Sequence, residues 1–146
     1  MELLTVMVIM VLMMSIAGVS FFTARQGAEM RGAVRAVQTT ISLARQQAVV
    51  KRTRYNLTFV GSTNMNGVQS GCMILEAVRS VTNSAHEIRY LPPLVTFSKV
   101  PSPNPLVFET DGSAGGVADV KDIELSQSGG TPTTLHFNSL IGAMQE

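Results

Sequence analysis

The sequence predicts an α+β protein, one long N-terminal helix followed by a head of short antiparallel strands. Residues 3–24 form an uncharged, largely apolar run. Residues 30–48 repeat apolar side chains at helical spacing. Beyond Arg54 the apolar period shifts towards two, and Gly and Pro punctuate the runs. A set of short strands after a helix is the α+β pattern. The chain therefore divides into an apolar helix segment (1–24), an amphipathic helix that continues into the head (25–52) and a β-rich head (53–146).

Bulk composition narrows the classes. A chain of 146 residues is one domain of ordinary size. Its 45% hydrophobic content and mean hydropathy of +0.24 exclude a disordered chain. Charged residues make up 14%, against a usual share of about 25%. The deficit is local, because five of the nine Met fall in the first fourteen positions. A net charge of +1 gives no global attraction to nucleic acid. The single Cys excludes an intrachain disulfide and a Cys-based zinc site. The absence of Trp and 5% aromatics argue against a sugar-stacking cleft.

In the first segment the only polar side chains between Leu3 and Ala24 are Thr5, Ser15, Ser20 and Thr23. About 20 apolar residues span a bilayer as one helix. Leu and Met favour helix, and a helix satisfies its own backbone in lipid. Leu3, Leu4, Val6, Ile9, Leu12, Ile16, Val19 and Phe22 are the expected lipid-facing or helix-packing side chains. A signal peptide needs a positive start and a small-residue cleavage site, whereas this segment starts with Glu2 and has no clear Ala-x-Ala. A plain membrane anchor leaves Glu2 without a task. A carboxylate at the head of an apolar helix is costly in lipid unless paired. A cation from a neighbouring subunit, such as a terminal amine, gives Glu2 a role in subunit docking.

The stretch Met1-Glu2-Leu3-Leu4-Thr5-Val6 resembles the N-terminal motif of type IV pilins and type II secretion pseudopilins from its fourth mature residue onward. In that family a Gly precedes the cleavage site, then Phe-Thr-Leu-Ile-Glu-Leu and an apolar helix. Glu2 falls on the family glutamate that aids subunit docking, and Met1 on the apolar residue before it. The resemblance implies a start upstream of Met1, with a basic leader ending in Gly and three further residues. The Pro of major pilins, expected near Val19, is not in this sequence.

Past Ala24, Met30, Val34, Val37, Ile41, Ala44 and Ala48 follow one another at spacings of 4, 3, 4, 3 and 4, an amphipathic stripe. No Pro interrupts Leu3 to Arg52. The expectation is one helix of about 50 residues, roughly 75 Å long at 1.5 Å per residue. Its outer face is basic: Arg25, Arg31, Arg35, Arg45, Lys51, Arg52 and Arg54 oppose only Glu29. Such a stripe fits a solvated face with headgroup contacts, a polyanion contact such as DNA, or contact with acidic neighbours. The C-terminal part supplies acids: from Pro105 on, Glu109, Asp111, Asp119, Asp122, Glu124 and Glu146 oppose Lys121. This asymmetry suits the orientation of stacked subunits.

In the head, Tyr55, Leu57 and Phe59 alternate with Asn56 and Thr58, as in a half-buried strand. Gly61 to Gly67 reads as a turn or loop. Further strands are expected over residues 72–78, 87–91, 95–98 and 106–109, with a stop at Pro92-Pro93 and an extended connection through Pro101, Pro103 and Pro105. Residues 123–126 and 134–138 flank Gly129-Gly130-Thr131-Pro132 as a hairpin. Ala44-Arg45-Gln46-Gln47-Ala48 before the first strand, Val107-Phe108-Glu109-Thr110-Asp111-Gly112, Ile123-Glu124-Leu125 and, more loosely, Leu135 to Gly142 are similar to segments of minor pseudopilins of the GspH/FimT type. The basic C-terminal tail of DNA-uptake members has no counterpart in Ile141 to Glu146.

No catalytic constellation emerges. His86 and His136 lack zinc-protease spacing and read as surface or strand histidines. Cys72 reads as a buried small apolar residue. Ser113 lacks a nucleophile elbow, and Gly112 to Gly116 lacks the Lys-Ser/Thr of a phosphate loop. Asp111, Asp119 and Asp122 do not match an EF-hand and read as a solvated acidic loop. The expectation is a non-enzymatic minor pilin or pseudopilin with no cofactor or metal. It would be a single-pass protein of the bacterial inner membrane, head in the periplasm, before it joins a fibre. The resemblance implies other pilin subunits, the inner-membrane assembly platform and a prepilin peptidase as partners. A DNA-binding or adhesive minor pilin and a periplasmic domain that never polymerises are the alternatives.

Overall fold

The computed structural model describes residues 2–65, 67–78, 86–115, 120–128, 130–138 and 143–145, and side chains within these except at 2, 16–23, 65, 115, 120–121 and 143–145. Helical backbone α1 spans Glu2–Lys51, with described side chains in two stretches, 3–15 and 24–51. From residue 30 the stripe faces inward: Val34, Val37, Ile41, Ala44 and Ala48 are buried, and Met30 packs against them. Ala33 and Thr40 join the buried face. Thr40 is accommodated because its hydroxyl donates to the Ala36 carbonyl at 2.7 Å.

The helix closes on Arg52. Its N–H donates to the Val49 carbonyl and that of Thr53 to the Ala48 carbonyl, while Arg52 takes φ 49°. Together these make a Schellman cap with Arg in the position glycine usually holds.

Among the described residues nine strands follow: β1 (Tyr55–Met65), β2 (Val68–Ala77), β3 (His86–Tyr90), β4 (Val95–Lys99), β5 (Leu106–Phe108), β6 (Ala114–Gly115), β7 (Val120–Gln127), β8 (Thr133–Asn138) and β9 (Ala143–Gln145). They form two antiparallel sheets, ordered β3-β2-β1-β5-β6 and β4-β7-β8-β9. The protein is therefore α+β with antiparallel sheets, and the head has two sheets where a single small one was expected. The Pro92-Pro93 break is the reason. β3 ends the edge of the first sheet, and the chain turns to start the second at β4.

Residues 61–65, expected in a loop, continue β1. One extra residue on β1 between Val60 and Thr63 makes a bulge, after which pairing resumes at Thr63↔Ser70. Gly61 and Ser62 are absorbed there, and the turn moves to Gly67, at φ +83°. The expected hairpin of 123–126 with 134–138 forms as β7 with β8, in register Ile123↔Leu135. β9 had no counterpart in the sequence pattern.

The core lies where α1 meets both sheets; the helix touches β1 and β5 of one and β4 and β7 of the other. Two edge-to-face ring pairs join the sheets: Phe59 with Phe97 at 5.4 Å and Phe108 with Phe137 at 6.3 Å. Asn104 takes the place of a strand partner at the end of the β1–β5 ladder. Its Oδ1 accepts from the Phe59 N–H at 3.0 Å and its Nδ2 donates to the Phe59 carbonyl at 2.8 Å.

Candidate functional site

Two surfaces concentrate the chemistry, and both belong to α1. The first is its apolar stretch. Every large apolar side chain from Leu3 to Met14 is exposed, from 51% at Val8 and Ile9 to 80% at Met14. These positions cover all sides of the helix, since twelve successive residues make more than three turns. Leu3, Leu4, Val6, Ile9 and Leu12 are among them. Ser15 satisfies its own hydroxyl by donating to the Leu12 carbonyl at 2.8 Å, as such side chains do in apolar surroundings. The side chains of Glu2, Ile16, Val19 and Phe22 lie outside the described residues. Among the described residues no helix is long and apolar enough to cross a membrane; the first stretch of described side chains ends at Ser15, while the sequence run continues to Ala24.

The second surface is the basic half. Its members stay separate instead of converging on one cleft. Arg25 Nε donates to Glu29 Oε1 at 3.0 Å, and Lys51 lies 5.7 Å from the centre of the Tyr55 ring. Arg54 Nε reaches Glu109 Oε2 at 2.6 Å, which ties the start of β1 to the turn after β5. Arg45 lies under Gly112: a Cβ there would stand 3.0 Å from Val49 Cγ2 and 3.1 Å from Arg45 Nε. With φ +85°, that position combines a close approach with a backbone only glycine adopts freely. Arg31, Arg35 and Arg52 are exposed. From Arg25 to Arg52 the stripe runs over roughly 40 Å of helix.

The acidic half offers a lattice of surface pairs. On the outer face of the second sheet His136 Nδ1 lies 2.8 Å from Asp122 Oδ1, and Lys99 Nζ lies 3.4 Å from Asp122 Oδ2 and 4.0 Å from Glu124 Oε1. The His136 hydrogen bond, followed by that of Lys99, holds the Asp122 carboxyl below the usual carboxylate range. Asp111 is lowered chiefly by the Ser113 hydroxyl and backbone N–H, both of which donate to its Oδ1. Asp119 lies outside the described residues. Among the described residues no three His, Cys, Asp or Glu side chains are placed to hold a metal ion. His86 and His136 are exposed on strands, and Cys72 is buried in β2 with its sulfur 3.5 Å from Thr63 Oγ1.

One contact that fixes the head on the helix and one turn within the head escaped the sequence. Gln127 is buried and its Nε2 donates to Glu29 Oε2 at 3.0 Å, 98 positions away. Leu94 has φ 66° in the turn between β3 and β4. A Pro-Pro pair followed by an apolar residue, where such turns favour glycine, was the available signal for Leu94; Gln127 had none. Comparison of the chain with protein-family models, curated proteins and solved structures finds no match.

Proposed function

We propose that the chain is a structural subunit, a minor pilin or type II secretion pseudopilin of the GspH/FimT kind. It is held in the bacterial inner membrane by the apolar part of a long N-terminal helix and passes into a fibre of similar subunits. The observation that carries this is the exposure of the apolar side chains from Leu3 to Met14 on every side of α1, a helix whose turns from residue 30 on back the head. Exposed apolar surface costs about 25 cal/mol per Å² in water, so that helix needs either acyl chains or sister helices around it. A plain soluble helix has no reason to change from all-round apolar to one-sided along its length. Glu2 then takes a neighbour's amine in the fibre, which offsets the cost of desolvating its carboxylate. The head presents its loops to flanking subunits or exported cargo, and the resemblance supplies the assembly platform and prepilin peptidase as the remaining partners.

Incorporation of Glu2→Ala tests this. In cells that assemble the fibre, the variant stays in the membrane fraction and is lost from sheared fibres. Equal incorporation of the variant contradicts the docking role of Glu2, and absence of the unmodified chain from both fractions contradicts the subunit itself.

A further inference from the structure

We propose that the outer edge of β3 is a self-pairing surface, through which two copies of this chain join their first sheets antiparallel about Ile88. The pairing needs nothing from the function proposed above; only its consequence for anchored chains rests on that reading. Among the described residues β3 ends its sheet and pairs with β2 alone. Sheet edges are commonly guarded by shortness, a bulge, Pro or Lys. The other edges carry such guards: β6 has two residues and β9 three, and β4 has a bulge between Phe97 and Lys99. β3 runs five residues in even register, with neither Pro nor Lys, and leaves Ile88 42% and Tyr90 45% exposed.

The backbone of β3 is set for a further strand. Leu91 N–H donates to the Gly71 carbonyl at 2.9 Å, in step with the register Cys72↔Tyr90. Alternate residues of an antiparallel strand bond to the same neighbour. Glu87 and Arg89 therefore turn their backbone groups to β2, and Ile88 and Tyr90 turn theirs outwards. The far side of β2 agrees: Val78 N–H donates to the Arg54 carbonyl at 2.8 Å, so Cys72 and Ile74 bond to β1, and Met73 and Leu75 are left for β3. Residues opposite each other share a face of the sheet. Glu87 and Arg89 thus lie on the side of buried Leu75 and Met73, and Ile88 on the outer side with Ile74.

The side chains name the occupant. The strand reads His86-Glu87-Ile88-Arg89-Tyr90, which is complementary to itself when run antiparallel. Centred on Ile88, a second copy sets Ile88 against Ile88, each Glu87 against the other copy's Arg89, and each His86 against the other copy's Tyr90. The two Ile88 residues then exchange both of their outward backbone hydrogen bonds. Two neighbouring registers keep the same backbone groups in play, one centred on Glu87 and one on Arg89. Both set like charges directly opposite, which destabilises a strand pair. The Glu87 and Arg89 side chains already meet at 2.8 Å within the strand and remain about half exposed, so each has room for an opposite charge across the edge. A two-fold pair of this kind is closed, with the same patch used on both copies. Its axis stands normal to the sheet. Because α1 lies against the face of that sheet at β1 and β5, the rotation sets the two helices in opposite senses. Copies anchored in one bilayer cannot pair this way, whereas copies on two facing membranes can.

The test is disulfide trapping of the full chain in detergent. Opposed Ile88 Cα atoms would stand about 5.5 Å apart, within reach of a disulfide, and native Cys72 is buried. Under mild oxidation Ile88→Cys should give dimers several-fold faster than Asp111→Cys, a control beyond β5. On the Ile88→Cys background, Glu87→Arg or Arg89→Glu alone should lower the dimer yield about tenfold. An equal mixture of those two chains, or the double reversal, should restore it. Association through the apolar part of α1 does not respond to these charges. Equal rates at positions 88 and 111 overturn the pairing, and single reversals that pair like the parent overturn the register. Ile88→Pro removes an N–H that the β2 ladder does not use, so the urea midpoint of the head should hold while sedimentation shows the dimer lost; a dimer that survives overturns backbone pairing. Vesicles carrying the unmodified chain should cluster, and those carrying Ile88→Pro should stay dispersed. Clustering by both overturns the trans arrangement. A chain that pairs in detergent but does not enter vesicles contradicts the anchor and spares the edge.

Discussion

Replacing Leu12 by Lys probes the apolar half of α1 at a position the head does not use. Leu12 sits near the middle of the run from Leu3 to Ala24, is 58% exposed and belongs to no buried cluster. At the centre of a membrane helix Leu contributes about −0.3 to −0.6 kcal/mol to insertion, and Lys costs about 2.5–3.5 kcal/mol. The substitution therefore removes roughly 3–4 kcal/mol. At 1.4 kcal/mol per tenfold change, the ratio of vesicle-bound to free protein falls by about two to three orders of magnitude. Flotation at limiting lipid measures the ratio, and a urea melt monitors the head. The head's midpoint should not move, because surface substitutions away from packed contacts stay within about 0.5 kcal/mol. A change in binding of less than tenfold, or a melt that weakens in step with it, would refute the assignment of this helix to lipid or to a helical bundle.

Phe137→Ala removes a fully buried ring that meets Phe108 at 6.3 Å across the two sheets; the loss is about 3–5 kcal/mol, read as a lower urea midpoint. Asp122→Asn tests the surface lattice through pH. The Asp122 carboxyl is lowered from 3.8 by His136 and Lys99, so the stability it adds is present above the unfolded value and is lost as pH falls through the folded one. The variant should be less stable than the parent at pH 7, with the gap closing as pH falls through and below the ordinary carboxylate range; urea melts at neutral and at acid pH measure it, and a gap that persists in acid would remove the carboxylate as its cause.

Much of the fold was legible because it follows local periodicity. The stripe from Val34 to Ala48 is buried as its spacing implies, because 3.6 residues per turn bring those positions to one side. Tyr55, Leu57 and Phe59 are buried on one face of β1 for the corresponding reason at period two. Local reasoning failed where pairing overrode composition. Gly61 and Ser62 look like a turn, yet a bulge lets β1 carry them and continue to pair with β2. At the site, the basic residues were visible as a charge run, but their separation was not, because Arg54 finds Glu109 55 positions away.

The sequence by itself determined the α+β class, the apolar and basic halves of the N-terminal stretch, and which helix face turns inward. Each depends on side chains within a few turns or a few strand residues of one another. Only the tertiary structure decided that the strands divide between two sheets, that Gln127 fastens the head to Glu29, and that Leu94 stands exposed at φ 66° in the turn between β3 and β4. Those features arise from contacts between distant segments, whose partners are chosen by how the whole core closes and leave no periodic trace along the chain.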